Sequence, residues 1–358
     1  MKVALVYDRL NKWGGAERVL LAFHKLFPQA TWYTSLWNPH SANFSANWDV
    51  CASIINKLPF IRNHHDKIPF LMPFIFESYD FSFYDLVISI SSEAAKAVIT
   101  KPGTVHLNYC LTPTRYLYSH QNIYLTNPLF RYIAQPLRQW DLVAATRPDE
   151  MISISTCVKK RIKKYYNRDS TIIFPPVDVS KFTAAVTPHR HTFDYYLLVS
   201  RLVSYKNIAS VIRVFANMPD QNLVIIGTGS QEASLRRLAT PNIYFIKSVI
   251  DKELVSYYSQ AKALIHPAVE DFGLVMAEAQ AAGTPVIAQN KGGALDIVQD
   301  GVTGLLYDGS KEGSLDSAIK LFAKESYSRQ ACRQNAKRFD IHIWEQQIIE
   351  RIKQYVQS

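Results

Sequence analysis

The chain has 358 residues, 48% of them hydrophobic and 20% charged, with four cysteines and a formal net charge of +10. That length suits two domains of roughly 150 residues each, and the composition is that of a folded globular protein. It argues against a spanning helix, since no run of about 18 uncharged apolar residues occurs, and against a zinc or disulfide framework, since Cys51, Cys110, Cys157 and Cys332 form no CxxC pair.

The basic excess is uneven, with 21 Lys and Arg against 13 Asp and Glu in residues 1–181 and 19 against 17 in residues 182–358. Such a balance suits an anionic partner or serves solubility, and charge alone leaves both open. In chain order, KVALVY at the start reads as a strand buried on both faces, not a signal peptide. NKWGG then leads into AERVLLAFHKLF, whose apolar residues fall at helical spacing. DLVISIS (85–91) and TVHLNYC (104–110) are further strands. EMISISTCVKKRIKKYY (150–166) is a short strand followed by a basic helix, and TIIFPPV (171–177) is a strand stopped by two prolines. FTAAVTPHRHTF (182–193) lacks periodicity and reads as a linker.

Beyond it, strands YYLLVS, NLVIIG, NIYFIKSV, KALIHPA and TPVIAQN alternate with helices NIASVIRVFANM, SQEASLRRLA, DKELVSYYSQA and LVMAEAQAAG. Two such series imply an α/β protein of two doubly wound, Rossmann-like domains, 1–182 and 193–339, facing across a cleft. The amphipathic helix of about 340–358 is expected to pack back on the first domain.

The ends of these strands carry the candidate chemistry. In LVSRLVSYKN (198–207), Arg201 and Lys206 put two cations at a strand's carboxyl end, a pairing that suits a diphosphate. In GTGSQEASL, Gly227 and Gly229 form a tight loop opening a helix, which reads as a nucleotide-side loop or a plain helix-entry turn. In HPAVEDFGLVMAEAQAAG, Glu270 and Glu278 lie eight residues apart. Between them, Phe272, Gly273, Leu274 and Val275 form a helix entry whose backbone N–H groups can meet phosphate or sugar. Glu278, inside the helix, needs a hydrogen-bonding partner, for which a ribose diol is suited.

In the first domain, Gly14 and Gly15 join strand to helix, and Arg115 in NYCLTPTRYLY can pair with phosphate or an acidic group. Residues 54–79 interleave aromatic and basic side chains and read as core packing or an interfacial element for a lipid-linked acceptor. His64 and His65 are adjacent and do not share a helix face, so they are not read as a metal site.

With these residues in view, the chain resembles the family 4 glycosyltransferases of the GT-B fold, and most closely their GDP-mannose-dependent mannosyltransferases. GGAER (14–18), PPVDVSKF (175–182), SRLVSYKN, the E-x7-E pair and KGGALDIVQDGVTGLLY (291–307) carry the resemblance. It implies that Arg201 and Lys206 bind phosphate, that Glu270 contacts the donor sugar, and that Glu278 bonds the ribose. It also implies that Val249 and Ile250 lie in the nucleobase loop. Leu111 stands where the subgroup has a histidine.

The activity so implied is transfer of a sugar, mannose from GDP-mannose, with retention. It needs no metal and no cofactor beyond the nucleotide-sugar substrate. The acceptor is a glycan or lipid-linked molecule of cell-surface polysaccharide synthesis. The expected location is the cytoplasm, with contact at the anionic inner face of the membrane and no nucleic-acid partner. A UDP-sugar donor on the same fold, an epimerase or phosphorylase, and a nucleotide-sugar-binding protein without turnover are the alternative readings.

Overall fold

The computed structural model describes residues 1–58, 69–119, 121, 128–183 and 193–356. It divides into two compact units, Met1–Pro176 with Trp344–Ser358, and Val177–Ile343. The first unit runs β1 (Val3–Tyr7), α1 (Gly15–Leu26), β2 (Thr31–Thr34), β3 (Val50–Ala52), α2 (Met72–Glu77), β4 (Leu86–Ser91), β5 (Val105–Cys110), α3 (Pro128–Ala144), β6 (Glu150–Ser153), α4 (Thr156–Tyr166) and β7 (Thr171–Ile172). The second begins α5 (Val179–Thr183), β8 (Tyr195–Val199), α6 (Ile208–Ala216), β9 (Asn222–Ile226), α7 (Glu232–Leu238), β10 (Ile243–Ile246) and α8 (Asp251–Gln260). It continues through β11 (Leu264–His266), α9 (Leu274–Ala281), β12 (Val286–Gln289), α10 (Ala294–Ile297), β13 (Gly304–Tyr307), α11 (Ser314–Phe322) and α12 (Arg329–Ala336). Helix α13 (Ile341–Val356) is the last described element.

Among the described residues both sheets are wholly parallel. The first has the order β3-β2-β1-β4-β5-β6-β7 and the second β10-β9-β8-β11-β12-β13. All six residues of β4 are buried, as a parallel strand covered on both faces requires. In each sheet the direction of winding reverses once, between β1 and β4 in the first and between β8 and β11 in the second. Such switch points open a crevice at the strands' carboxyl ends.

Helix α4 shows how local chemistry sets an element's ends. Ser155 accepts the Val158 N–H at 3.2 Å to start it, and Asn167, at φ +53°, closes it with its N–H on the Lys163 carbonyl at 3.1 Å. Val158, Ile162 and Tyr166 form its buried stripe.

The first unit ends earlier than residue 182. Pro175 and Pro176 turn the chain out of the sheet, and Val177 then pairs with the 339–341 segment through two backbone bonds, of 2.8 and 3.0 Å. Phe182 of α5 sets its ring edge-on to Tyr258 at 6.0 Å, so Val177–Thr183 belong with the second unit. The chain rejoins the first unit at Trp344, whose buried indole meets Phe23 edge-on at 4.7 Å; Ile348 and Ile352 continue the stripe. Most of the linker read at 182–193, and His64 and His65, lie outside the described residues. Of the segment 54–79, the described part exposes Ile54, Leu58, Phe70 and Phe74, while Met72, Ile75 and Phe76 of α2 pack into the core.

Candidate active site

The switch point of the second sheet gathers the charged residues singled out in the sequence. Beyond β8 the chain makes one 3-10 turn, Ser204–Lys206, stopped by Asn207 at φ +52°, a conformation asparagine tolerates. Arg201 is exposed, and its Nη2 donates to the Tyr205 hydroxyl at 2.5 Å. Tyr205 lies between the two cations, with Lys206 Nζ 5.3 Å from its ring centre. Lys206 forms an ion pair with Glu270 across the β8–β11 junction, the two side chains being 13% and 27% exposed.

His266, the last residue of β11, stands behind that pair. Its Nε2 is 3.5 Å from the same Glu270 oxygen and has no hydrogen-bond partner, and the side chain is 3% exposed. Burial alone would push the Glu270 carboxyl up, but His266 and Lys206 outweigh it and hold the group below the usual carboxylate range. Burial also pushes the His266 imidazole down, against the pull of Glu270.

Gly273, at φ +98°, turns the chain into α9. The first turn of a helix leaves its N–H groups without intrahelical acceptors, which here are those of Leu274 and Val275. Phe272 does not offer its ring to a ligand: it is buried edge-on to Phe339 at 5.4 Å. Two glycines that the sequence reading left without a role fix this turn. A β-carbon on Gly292 would lie 2.3 Å from the Glu270 carbonyl oxygen, and one on Gly293 would lie 2.0 Å from that of Phe272. The Gly293 N–H instead donates to the Glu270 carbonyl at 2.9 Å. Glu278, one turn into α9, is 2% exposed, and the Tyr258 hydroxyl donates to it at 3.2 Å.

Gly227 and Gly229 have a positioning role toward Arg201. A β-carbon on Gly227 would sit 1.9 Å from the Ser200 carbonyl oxygen, and one on Gly229 would sit 2.3 Å from that of Leu202. The close approach they permit is therefore to the protein's own Arg201 loop, which bonds back through Leu202 N–H to the Thr228 carbonyl at 2.9 Å. Val249 is half-buried and Ile250 exposed just before α8, where the Glu253 carboxylate accepts the Ile250 N–H at 3.2 Å.

In the first unit, Gly14 and Gly15 open α1 and Arg115 is exposed in the loop after β5. Leu111 continues that strand's ladder, its N–H on the Ser91 carbonyl at 2.8 Å, with its side chain buried. The switch point itself holds residues to which the sequence reading gave no site role. Asp8, next after β1, accepts the backbone N–H groups of Ser92, Glu93, Ala94 and Ala95 at 2.7–2.9 Å. Arg9 pairs with buried Glu93 at 2.5 Å, and the Tyr116 hydroxyl donates to Glu93 at 2.9 Å. Burial pushes the Glu93 carboxyl up, against the pull of Arg9. The only linear signal was an aspartate directly after a buried strand.

Residues 179–339 match the family described as glycosyl transferases group 1. The chain carries a group 1 glycosyltransferase domain. Within that domain lie Arg201, Lys206, Gly227, Gly229, Val249, Ile250, Glu270, Phe272, Gly273, Leu274, Val275 and Glu278; Gly14, Gly15 and Arg115 lie before it.

Over 201 residues the chain is 32% identical to a GDP-mannose-dependent monoacylated alpha-(1-6)-phosphatidylinositol monomannoside mannosyltransferase of Corynebacterium glutamicum, a match covering 49% of this chain and 52% of that one. The chain thus spans about half the length of that relative. It is 27% identical over 278 residues to the O-antigen chain mannosyltransferase RfbU of Salmonella typhimurium, covering 74% of each. Two solved structures share the fold of both units. Anabaena Alr3699/HepE in complex with UDP has a TM-score of 0.73 at 18% identity, over 99% of this chain and 100% of that one. Sucrose-phosphate synthase of Thermosynechococcus elongatus has a TM-score of 0.75 at 17% identity, over 99% of each. The group 1 domain is thus the second Rossmann-like unit of a GT-B architecture.

Proposed function

We propose that this protein is a retaining glycosyltransferase that moves mannose from GDP-mannose to a glycan or lipid-linked acceptor in cell-surface polysaccharide synthesis. The observation that carries the reading is the Lys206–Glu270 pair at the second unit's switch point, beside the open first turn of α9. The mannose and the cell-surface role draw on the two relatives named above.

Arg201 and Lys206 bind the donor diphosphate and stabilise the charge that develops as it leaves. Fixed cations and helix N–H groups supply this stabilisation without reorganising at the moment of reaction. Glu270, kept ionised beside the sugar, bonds its hydroxyls and favours positive charge at the anomeric carbon. Glu278 with Tyr258 forms the floor for the ribose. The acceptor attacks from the face the diphosphate leaves, and the departing phosphate takes its proton. The two cations serve here in place of a metal ion. Gly14, Gly15 and Arg115 are assigned to the acceptor side.

No described helix is long and apolar enough to cross a membrane. Peripheral contact with anionic lipid is assigned to α4, which exposes Lys159, Lys160, Lys163 and Lys164 over its buried stripe.

Binding and hydrolysis measured across GDP-mannose, UDP-glucose and other nucleotide sugars, with and without EDTA, test the reading. Selective use of GDP-mannose that survives EDTA is expected. Preference for a UDP-sugar, the nucleotide present in the Anabaena structure, would replace the donor and keep the site. Binding of no nucleotide sugar would overturn the whole assignment.

A further inference from the structure

Lys206 is assigned two anions at once, the Glu270 carboxylate it holds in this structure and the donor diphosphate it is proposed to bind. A lysine ammonium is a compact point charge, and a diphosphate carrying two or more negative charges competes strongly for it. When Lys206 turns to the phosphate, Glu270 is left as a largely enclosed carboxylate without its cation, a costly state unless another donor takes over.

That donor is in place. The His266 imidazole is fully enclosed in β11, and its Nε2 points at the oxygen that Lys206 now occupies, from 3.5 Å. It makes no hydrogen bond, although a buried polar nitrogen left unpaired costs stability that a phenylalanine or leucine at this place would not. Closing the gap by about 0.3–0.8 Å would bring the pair into hydrogen-bond range. The partly exposed Glu270 side chain is the group placed to make that approach. The same nitrogen lies 3.9 Å from where a β-carbon on Gly273 would sit, so it faces the floor of the α9 entry.

We propose that His266 is a positioning residue that takes hold of Glu270 through Nε2–H when a donor diphosphate draws Lys206 away. Glu270 thereby exchanges one partner for another and stays ionised and oriented through the reaction. The inference rests on the proposed donor role of Lys206 and Glu270, and it adds a residue that no motif contained.

Two variants of the full chain test it, His266→Phe, which fills the space without a donor, and His266→Gln, which keeps an N–H. With GDP-mannose, His266→Phe is expected to lower kcat about tenfold, the loss of one good hydrogen bond, while KM stays within about twofold. His266→Gln is expected to recover most of kcat. A residue that only filled the core would lose KM and kcat together and would not be rescued by glutamine.

A second readout needs no turnover. The Glu270 carboxyl is titrated by carbon-13 NMR in the presence of inorganic pyrophosphate, which occupies Lys206. Its pKa is expected to rise by about one unit in His266→Phe relative to the unsubstituted protein and to return toward it in His266→Gln. An unchanged Glu270 titration in both variants would overturn the inference. Absence of turnover by the unsubstituted protein with any nucleotide sugar would sink the proposed function instead, and the titration would still decide the His266–Glu270 coupling.

Discussion

Gly293→Ala offers a steric test of how rigidly the Glu270 turn is held. Gly293 has φ −69°, ordinary for any residue, so the substitution adds no backbone strain of its own. The new methyl would lie 2.0 Å from the Phe272 carbonyl oxygen and 2.3 Å from its α-carbon, more than 1 Å inside ordinary contact. Both are backbone atoms and cannot rotate away. The 270–273 turn must shift, and overpacking of that kind costs about 2–4 kcal/mol. At about 2–4 °C per kcal/mol for a unit of this size, the melting temperature should fall by about 4–16 °C.

Gly301→Ala is the control. Gly301 has φ +73° and nothing within 4 Å of its would-be β-carbon, so it tests backbone strain alone, about 1 kcal/mol or about 2–4 °C. Thermal melts of the two variants by circular dichroism decide the matter, with turnover measured well below both melts. If Gly293→Ala melts no lower than Gly301→Ala, the turn yields freely and the reasoning that these glycines fix Glu270 is refuted.

Glu270→Ala and Lys206→Ala should each lower turnover at least 100-fold at temperatures well below the melt, while each also lowers the melting temperature by leaving an enclosed charge without its partner; activity lost only in proportion to folded protein would contradict the assigned roles. Buried His106 is pushed down to about 3 by burial, reinforced by Arg147 and Arg168, so the folded protein holds it neutral. Because its folded pKa lies below the unfolded value near 6.5, its contribution is complete above that pH and is lost as pH falls toward 3, at up to about 1.4 kcal/mol per unit. Urea unfolding at pH 7 and pH 5 should therefore show a loss of stability that shrinks by about 1–2 kcal/mol in His106→Gln, and an unchanged difference would refute it. Replacing Lys159, Lys160, Lys163 and Lys164 with glutamine should weaken co-sedimentation with phosphatidylglycerol vesicles, by about 1 kcal/mol per lysine at the surface, without changing the melt; unaltered vesicle binding would leave these lysines as solubility groups.

The long buried strands were legible because their signal is local. KVALVY, DLVISIS and NLVIIG are continuous apolar runs closed by polar or glycine residues, and each forms a strand within a residue or two of its predicted ends. TWYT and VCA, which form β2 and β3 at one side of the first sheet, are too short to carry a period. Helix α3 passes through Pro136, a residue that argues against a helix interior in any linear reading. The charged residues of the second switch point were readable because they follow their strands directly. What could not be read was how they pair. Nothing linear says that Lys206 meets Glu270 across 64 residues, that a strand-end histidine lies behind them, or that Gly227 and Gly229 make room for backbone. Those facts arise only when adjacent strand ends converge.

The placement of Trp344 has a consequence for biosynthesis. The second unit is one continuous stretch, whereas the first is completed only by the chain's last helix. A ribosome that has made residues 1–176 must add the whole of 177–343 before Trp344 emerges to cover Phe23 and Tyr109. At about 5–20 residues per second that interval is roughly ten to thirty seconds. During it the first sheet waits with Phe23 and Tyr109 lacking their Trp344 cover, while its neighbour is complete in sequence first although it was begun second.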